Sequence, residues 1–337
     1  MSTDLPGWLA APLAEALRRP AAHAVLVHGP GGVGQFEFAY ALASAWLCES
    51  PEDLRACGHC TGCRLMQSRT HPDFKLLLPE ALREALGFAD EETRESDKKA
   101  KPSREIKVSA VREAIEWTQK STSRGRAKVV LIHPAQAMNA IAANALLKTL
   151  EEPPAGVRLL LCTTDPELLL PTIRSRCQRW PIALPSQEES LAWLGDQGLA
   201  GAEVLLAAAG GRPTDAIGMA ADGITAAAWS ALPNAVSQGD ARALMGWPVP
   251  RVVDALQKLC QDAMAQSVGG RPRHFAAVPP GADLSKLQAW GRNLARTARH
   301  DEHPWNAGLL AEALVAEGAE AWPRAESGRR VATLRGS

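Results

Sequence analysis

The sequence predicts a parallel α/β domain in its first half and an all-helical region in its second, from three observations. The continuous apolar runs Ala24–His28, Val129–His133 and Val157–Thr164 have the length of central strands buried on both faces. Segments with helical periodicity separate them, and strands alternating with helices imply a parallel sheet covered by helices. After about Pro185 the strand-like runs stop. Amphipathic stripes take over, such as Val253, Leu256, Cys260 and Met264, or Leu284, Leu287 and Leu294.

Taken in order, Ala24–His28 runs into a Gly-rich turn, after which Phe36, Tyr40, Ala43 and Leu47 fall at helical spacing, giving a strand–loop–helix unit. Two insertions follow, the cysteine-rich stretch Cys48–Cys63 and the charged stretch Ala89–Lys107, which reads as a solvated loop. Ser109 is expected to N-cap a helix with Val111, Ile115 and Thr118 on one face. Ala135–Glu152, rich in Ala and Leu, reads as a helix stopped by Pro153 and Pro154. Domain boundaries are placed near Leu184–Ser186 and within Asp222–Asp240, and the basic tail from Ser327 is expected to fray.

The chain has 337 residues, 46% of them hydrophobic, which suits two or three domains with their own cores. Lys and Arg total 37, as do Asp and Glu, so the formal net charge is zero. A neutral chain exerts no global pull on nucleic acid, so work on DNA would pass through partners or a local patch. Met1–Pro20 lacks a secretory-signal pattern, and no run approaches the roughly 18 apolar residues of a membrane span. A cytoplasmic protein with no membrane partner is expected, and there clustered cysteines point to metal or catalysis rather than disulfides.

Cys48, Cys57, Cys60 and Cys63 follow the pattern C-x8-C-x2-C-x2-C. The two overlapping C-x2-C steps bring thiolates together on a tight turn around Gly58 and Gly62, and Cys48 completes a tetrahedral set. Structural Zn2+ fits such a closed site, which leaves no open position for catalysis. An iron–sulfur cluster is the chemical rival, and His59 inside the loop could take the place of one thiolate. Cys162 and Cys260 stand singly in apolar surroundings and read as packing residues.

Gly29, Gly31, Gly32 and Gly34 sit between a strand and a helix, in the context of a phosphate-binding G-x-x-x-x-G-K-[ST] loop. Gln35 stands where the lysine would reach the β- and γ-phosphates, and Phe36 where a hydroxyl would hold Mg2+. At the end of the next apolar run, His133-Pro134 replaces the acidic pair that would hold the metal and polarise water. ATP is therefore not expected to be hydrolysed here. Phosphate binding to loop N–H groups stays open beside a turn that binds nothing.

Five stretches occur together in one order: the altered loop, Cys57–Cys63 (CGHCTGC), Ser68–Asp73 (SRTHPD), Ala143–Pro154 (ANALLKTLEEPP) and Thr172–Cys177 (TIRSRC). With them the chain resembles the delta-prime family of bacterial DNA polymerase III clamp-loader subunits over most of residues 20–184. Beyond 184 the likeness thins to Gly210–Ala216 (GGRPTDA) and Pro304-Trp305-Asn306 before a Leu-rich helix. The resemblance implies an α/β AAA+ (P-loop type) parallel-sheet domain over 1–184 with a zinc module at 48–63. A small helical lid domain (185–230), an all-α collar domain (231–326) and a tail (327–337) would follow.

The family also implies partners: ATPase subunits and a delta subunit in a hetero-pentameric ring that places a sliding clamp on primed DNA. Ser175-Arg176-Cys177 matches the family's arginine-finger motif, so Arg176 would reach the ATP site of a neighbouring ATPase subunit, with Arg174 assisting. Thr163-Thr164 and Arg212 lie near its two sensor positions. The chain would then be no enzyme on its own. Two other readings are an ATP-hydrolysing motor subunit, which Gln35 and Phe36 oppose, and a zinc-dependent nucleic-acid-binding module. The latter needs aromatics among its cations, and Arg55, Arg64 and Arg69 have none between Trp46 and Phe74. Trp193, Trp290 and Trp305 are expected as core or interface anchors.

Overall fold

The computed structural model describes residues 5–20, 22–84, 86–88, 102–299 and 306–323. The chain divides into two compact units, Met1–Pro185 and Ser186–Ser337.

In the first unit the elements run α1 (Ala10–Arg18), β1 (Ala24–His28), α2 (Gln35–Leu47), α3 (Thr61–Gln67), β2 (Phe74–Leu77), α4 (Glu80–Arg83), α5 (Val108–Thr118), β3 (Lys128–Ile132), α6 (Ala140–Glu151), β4 (Val157–Thr163), α7 (Pro171–Arg174) and β5 (Gln178–Pro181). The strands form one parallel sheet in the order β2-β3-β4-β1-β5. Alternate residues of each strand serve opposite faces. Leu26, Val130, Ile132, Leu159 and Leu161 pack with Val111 and Ala114 of α5 and Leu146 and Leu150 of α6. Val25, Val27, Val129, Leu131 and Leu160 pack with Leu13 of α1 and Phe38 and Leu42 of α2. Burial on both faces is why the central strands are apolar throughout.

β1 falls where the sequence predicts it, and β3 and β4 overlap their predicted runs to within a residue. β2 and β5 are additional strands at the two edges of the sheet. In β5, Gln178-Arg179-Trp180-Pro181, only Trp180 is buried, so no apolar run announces it. Two helix starts differ from expectation. α5 begins at Val108, with Lys107 at its N-cap and no side-chain cap, so Ser109 lies inside the helix. The stretch expected as one helix from Ala135 is a 3-10 turn at Ala135–Ala137, then α6, whose N-cap Asn139 accepts from Ala142 N at 3.0 Å. Asn competes for local backbone donors and so starts the α-helix there.

The second unit holds α8 (Gln187–Asp196), α9 (Ala202–Ala208), α10 (Pro213–Ala221), α11 (Ala226–Ser237), α12 (Val249–Ser267), α13 (Leu284–Ala298) and α14 (Ala307–Ala319). A capping box of Ser186 with Glu189 opens α8. One set of buried side chains runs from Leu194 to Trp322. Trp229 stacks on Phe275 at 4.7 Å and donates its indole N–H to His274 O at 2.9 Å. Trp290 donates to Leu314 O at 2.9 Å, so these tryptophans anchor a core with their polar edges satisfied. Trp193 packs at the edge of that core. Pro304, Trp305, the tail from Ser327 and residues 89–101 of the charged insertion lie outside the described residues. Among the described residues, no helix is long and apolar enough to cross a membrane.

Candidate functional site

The Gly-rich loop joins the carboxyl end of β1 to the start of α2, where open parallel sheets place ligands. A Cβ on Gly29 would lie 2.2 Å from the Ile182 carbonyl oxygen, and Gly34 takes φ +96°. Both positions need glycine, one for close approach and one for its backbone conformation. Gln35 is buried, and its side-chain amide donates to Gly29 O at 2.7 Å and Pro30 O at 2.5 Å. It turns back into the loop and occupies the loop's own carbonyls. Phe36 lies against the His133 imidazole, ring centroids 5.1 Å apart, with Tyr40 at 5.9 Å and Phe88 at 6.1 Å. Burial pushes His133 down to about 4, so the ring is neutral near pH 7. A half-buried aromatic cluster with a neutral imidazole offers Mg2+ no anionic oxygen.

The cysteines come together as the spacing predicts. Cys48 caps the end of α2, and Cys60 caps the start of α3 by accepting from Cys63 N. Cys48 Sγ lies 3.6 Å from Cys57 Sγ and 3.8 Å from Cys60 Sγ, and Cys57 Sγ lies 3.9 Å from Cys63 Sγ. A tetrahedral ion with metal–sulfur bonds of about 2.3 Å requires sulfurs about 3.8 Å apart, so the four can hold one metal ion. Backbone N–H groups of Cys57, Cys60 and Cys63 donate to the sulfurs of Cys48, Cys57 and Cys60 at 3.4, 3.3 and 3.3 Å. Such donors stabilise thiolates and orient ligands. Burial opposes the Cys60 thiolate, but the Cys63 N–H and neighbouring groups outweigh it and bring the thiol to about 6, while burial pushes Cys48 and Cys63 up. His59 Nδ1 instead lies 2.9 Å from Cys57 O.

The Ser68–Asp73 stretch supports this module, a role the sequence reading missed. Asp73 is fully buried and accepts from Ser123 N at 2.8 Å and Arg124 N at 2.9 Å. Arg124 reaches Glu49, the residue after Cys48. The only prior signal was a Pro-Asp pair before an apolar run.

The last motif follows α7. Arg176 Nη1 donates to Thr172 O at 2.9 Å and lies 3.4 Å from Ser175 Oγ, and Nη2 pairs with Glu151 at the end of α6. Its side chain is 32% exposed. Ser175 Oγ also donates to Thr172 O. Cys177 is buried among the residues on the α6 side of the sheet, with its thiol pushed up to about 12 by burial, so it anchors the chain beyond the arginine as a neutral side chain. Arg174 is turned onto Glu167. Arg212 is paired with Asp215 at 2.9 Å and donates to Ala209 O. Thr163 Oγ1 donates to Asp165 O at 2.9 Å, and Thr164 Oγ1 accepts from Gln136 at 2.9 Å, so both close local structure at a strand end.

The profile of the family described as "DNA polymerase III, delta subunit" matches residues 13–186. The DNA polymerase III subunit delta' of Escherichia coli K12 is 34% identical over 254 residues, covering 70% of each chain. The delta' subunit of Pseudomonas aeruginosa is 40% identical over 199 residues, covering 58% of this chain and 55% of its own. The tau subunit of Salmonella typhimurium is 36% identical over 155 residues, 46% of this chain and 21% of its own.

Proposed function

Because the chain belongs to the delta-prime family of DNA polymerase III subunits, we propose that it serves the clamp loader as a subunit that hydrolyses no ATP and donates Arg176 to a neighbour's ATP site. The observation that carries this reading is the Gln35 amide bonded to the carbonyls of its own loop. A loop built on those bonds has no lysine for the γ-phosphate, and Phe36 and His133 fill the place where a metal and a polarised water would sit. A motor subunit needs all three functions.

Arg176, by contrast, stands partly exposed at a helix end, on a segment fixed by a hydroxyl before it and a buried thiol after it. A guanidinium offered across an interface stabilises charge on a γ-phosphate, and its planar, permanently charged fork suits that task. In this reading the ring is hetero-pentameric, with ATPase subunits and a delta subunit as partners, and it loads a sliding clamp onto primed DNA. The four thiols hold structural Zn2+, which fixes Cys48–Cys63 against the ends of α2 and α3. The helical second unit supplies the lid (185–230) and collar (231–326).

The test is equilibrium titration of the isolated chain with a fluorescent ATP analogue and Mg2+, beside its own ATP turnover. The reading expects no turnover with or without DNA. Turnover that survives purification and is lost in Gln35→Met would refute it.

A further inference from the structure

Arg176 is gripped from two helices at once. Its Nη1 donates to Thr172 O, a carbonyl in the last turn of α7 with no helical partner. Its Nη2 pairs with Glu151, the last residue of α6, where the partial negative charge of the helix end adds to the carboxylate. The two side chains are 32% and 47% exposed, and an ion pair that exposed adds little to fold stability. What the grip supplies is order. A free arginine has many rotamers, and that freedom is lost when its guanidinium docks on phosphate. Bonds made beforehand to acceptors on two packed helices remove that freedom in advance, as pre-aimed catalytic groups require. They leave Nε–H and one Nη2 proton without an acceptor among the described residues.

We propose that Glu151 is a positioning residue for Arg176: its carboxylate holds the guanidinium in the orientation in which the neighbouring subunit's ATP meets it. This rests on Arg176 being the donated finger. Glu151 touches no substrate and acts only through the arginine. The adjacent Glu152 lies beyond the helix end, and Lys148, one turn earlier on the same exposed face of α6, carries the wrong sign for the task.

The test uses the complete reconstituted clamp loader with full-length chain carrying Glu151→Ala, Glu151→Gln, Arg176→Ala or the Ala/Ala pair, after checking equal assembly and equal melting of the isolated chains. Clamp-stimulated ATP turnover is split into kcat and KM. Glu151→Ala is expected to reproduce at least about half of the kcat loss of Arg176→Ala, with KM for ATP unchanged. Glu151→Gln, which keeps an acceptor oxygen in place, is expected to restore most of it. The pair is expected to match Arg176→Ala alone. If Arg176→Ala lowers kcat while Glu151→Ala leaves it unchanged or raises it, the positioning role is overturned and the finger stands. If Arg176→Ala itself changes nothing, the finger reading fails and the positioning role falls with it.

Discussion

Replacing Gln35 with Met keeps the length and most of the volume of a side chain that is 5% exposed, and removes only its amide. Gly29 O and Pro30 O then lose donors at 2.7 and 2.5 Å. A neutral hydrogen bond is worth about 1 kcal/mol net, and a carbonyl left dry costs about 1–3 kcal/mol. Pro30 is exposed, so water replaces its donor at small cost. Gly29 is half-buried, so its carbonyl carries more of the penalty. The sum is about 2 kcal/mol. For a unit of this size each kcal/mol moves the midpoint by about 2–4 °C, so the first unit should melt about 4–8 °C lower. Scanning calorimetry of the full chain reads that shift. The variant should gain no ATP turnover, since it acquires neither lysine nor metal ligand. A fall of under about 1 °C would refute the idea that the amide holds the loop shut.

Three further outcomes follow from the same geometry. Cys57→Ser should lower metal content from about one zinc per chain to a small fraction of that, measured by elemental analysis after dialysis, because three thiolates do not close the tetrahedron. Gly62→Ala places a Cβ 2.7 Å from the Leu47 carbonyl, which is backbone and cannot swing aside, so the first turn of α3 shifts and zinc affinity should fall about tenfold or more in chelator competition. Burial holds His133 at about 4 against an ordinary 6.5, so its contribution is whole above pH 6.5 and lost as pH falls through 4, about 2 kcal/mol by pH 4.5. His133→Phe should flatten denaturant stability between pH 7 and 4.5 by that amount, and an unchanged slope would contradict a neutral buried ring.

What the sequence shows most clearly is whatever burial makes uniform. The central strands read plainly because both faces are packed, whereas edge strands such as Gln178–Pro181 bury one side chain and look like loop. Four cysteines at fixed spacing are legible as a candidate metal site because that spacing suits a tetrahedral thiolate set. The loss of lysine at Gln35 is legible, but its inward turn is not, since nothing local tells an amide which carbonyl to choose. The partners of Asp73 and Glu151 are not legible for a different reason. Ser123, Arg124 and Arg176 lie 25 or more residues away, and long-range pairing leaves no local pattern. Ser109 misled because a good cap residue is no cap when the helix starts two residues earlier, at Val108.

The central claim is that this chain contributes an arginine and no chemistry of its own to ATP hydrolysis. It is tested most directly by clamp-stimulated ATP turnover of the reconstituted clamp loader, with the intact chain and with Arg176→Ala assembled to the same extent. The account predicts a clear loss of kcat in the variant while the isolated chain turns over no ATP. Equal turnover in the two assemblies would contradict it.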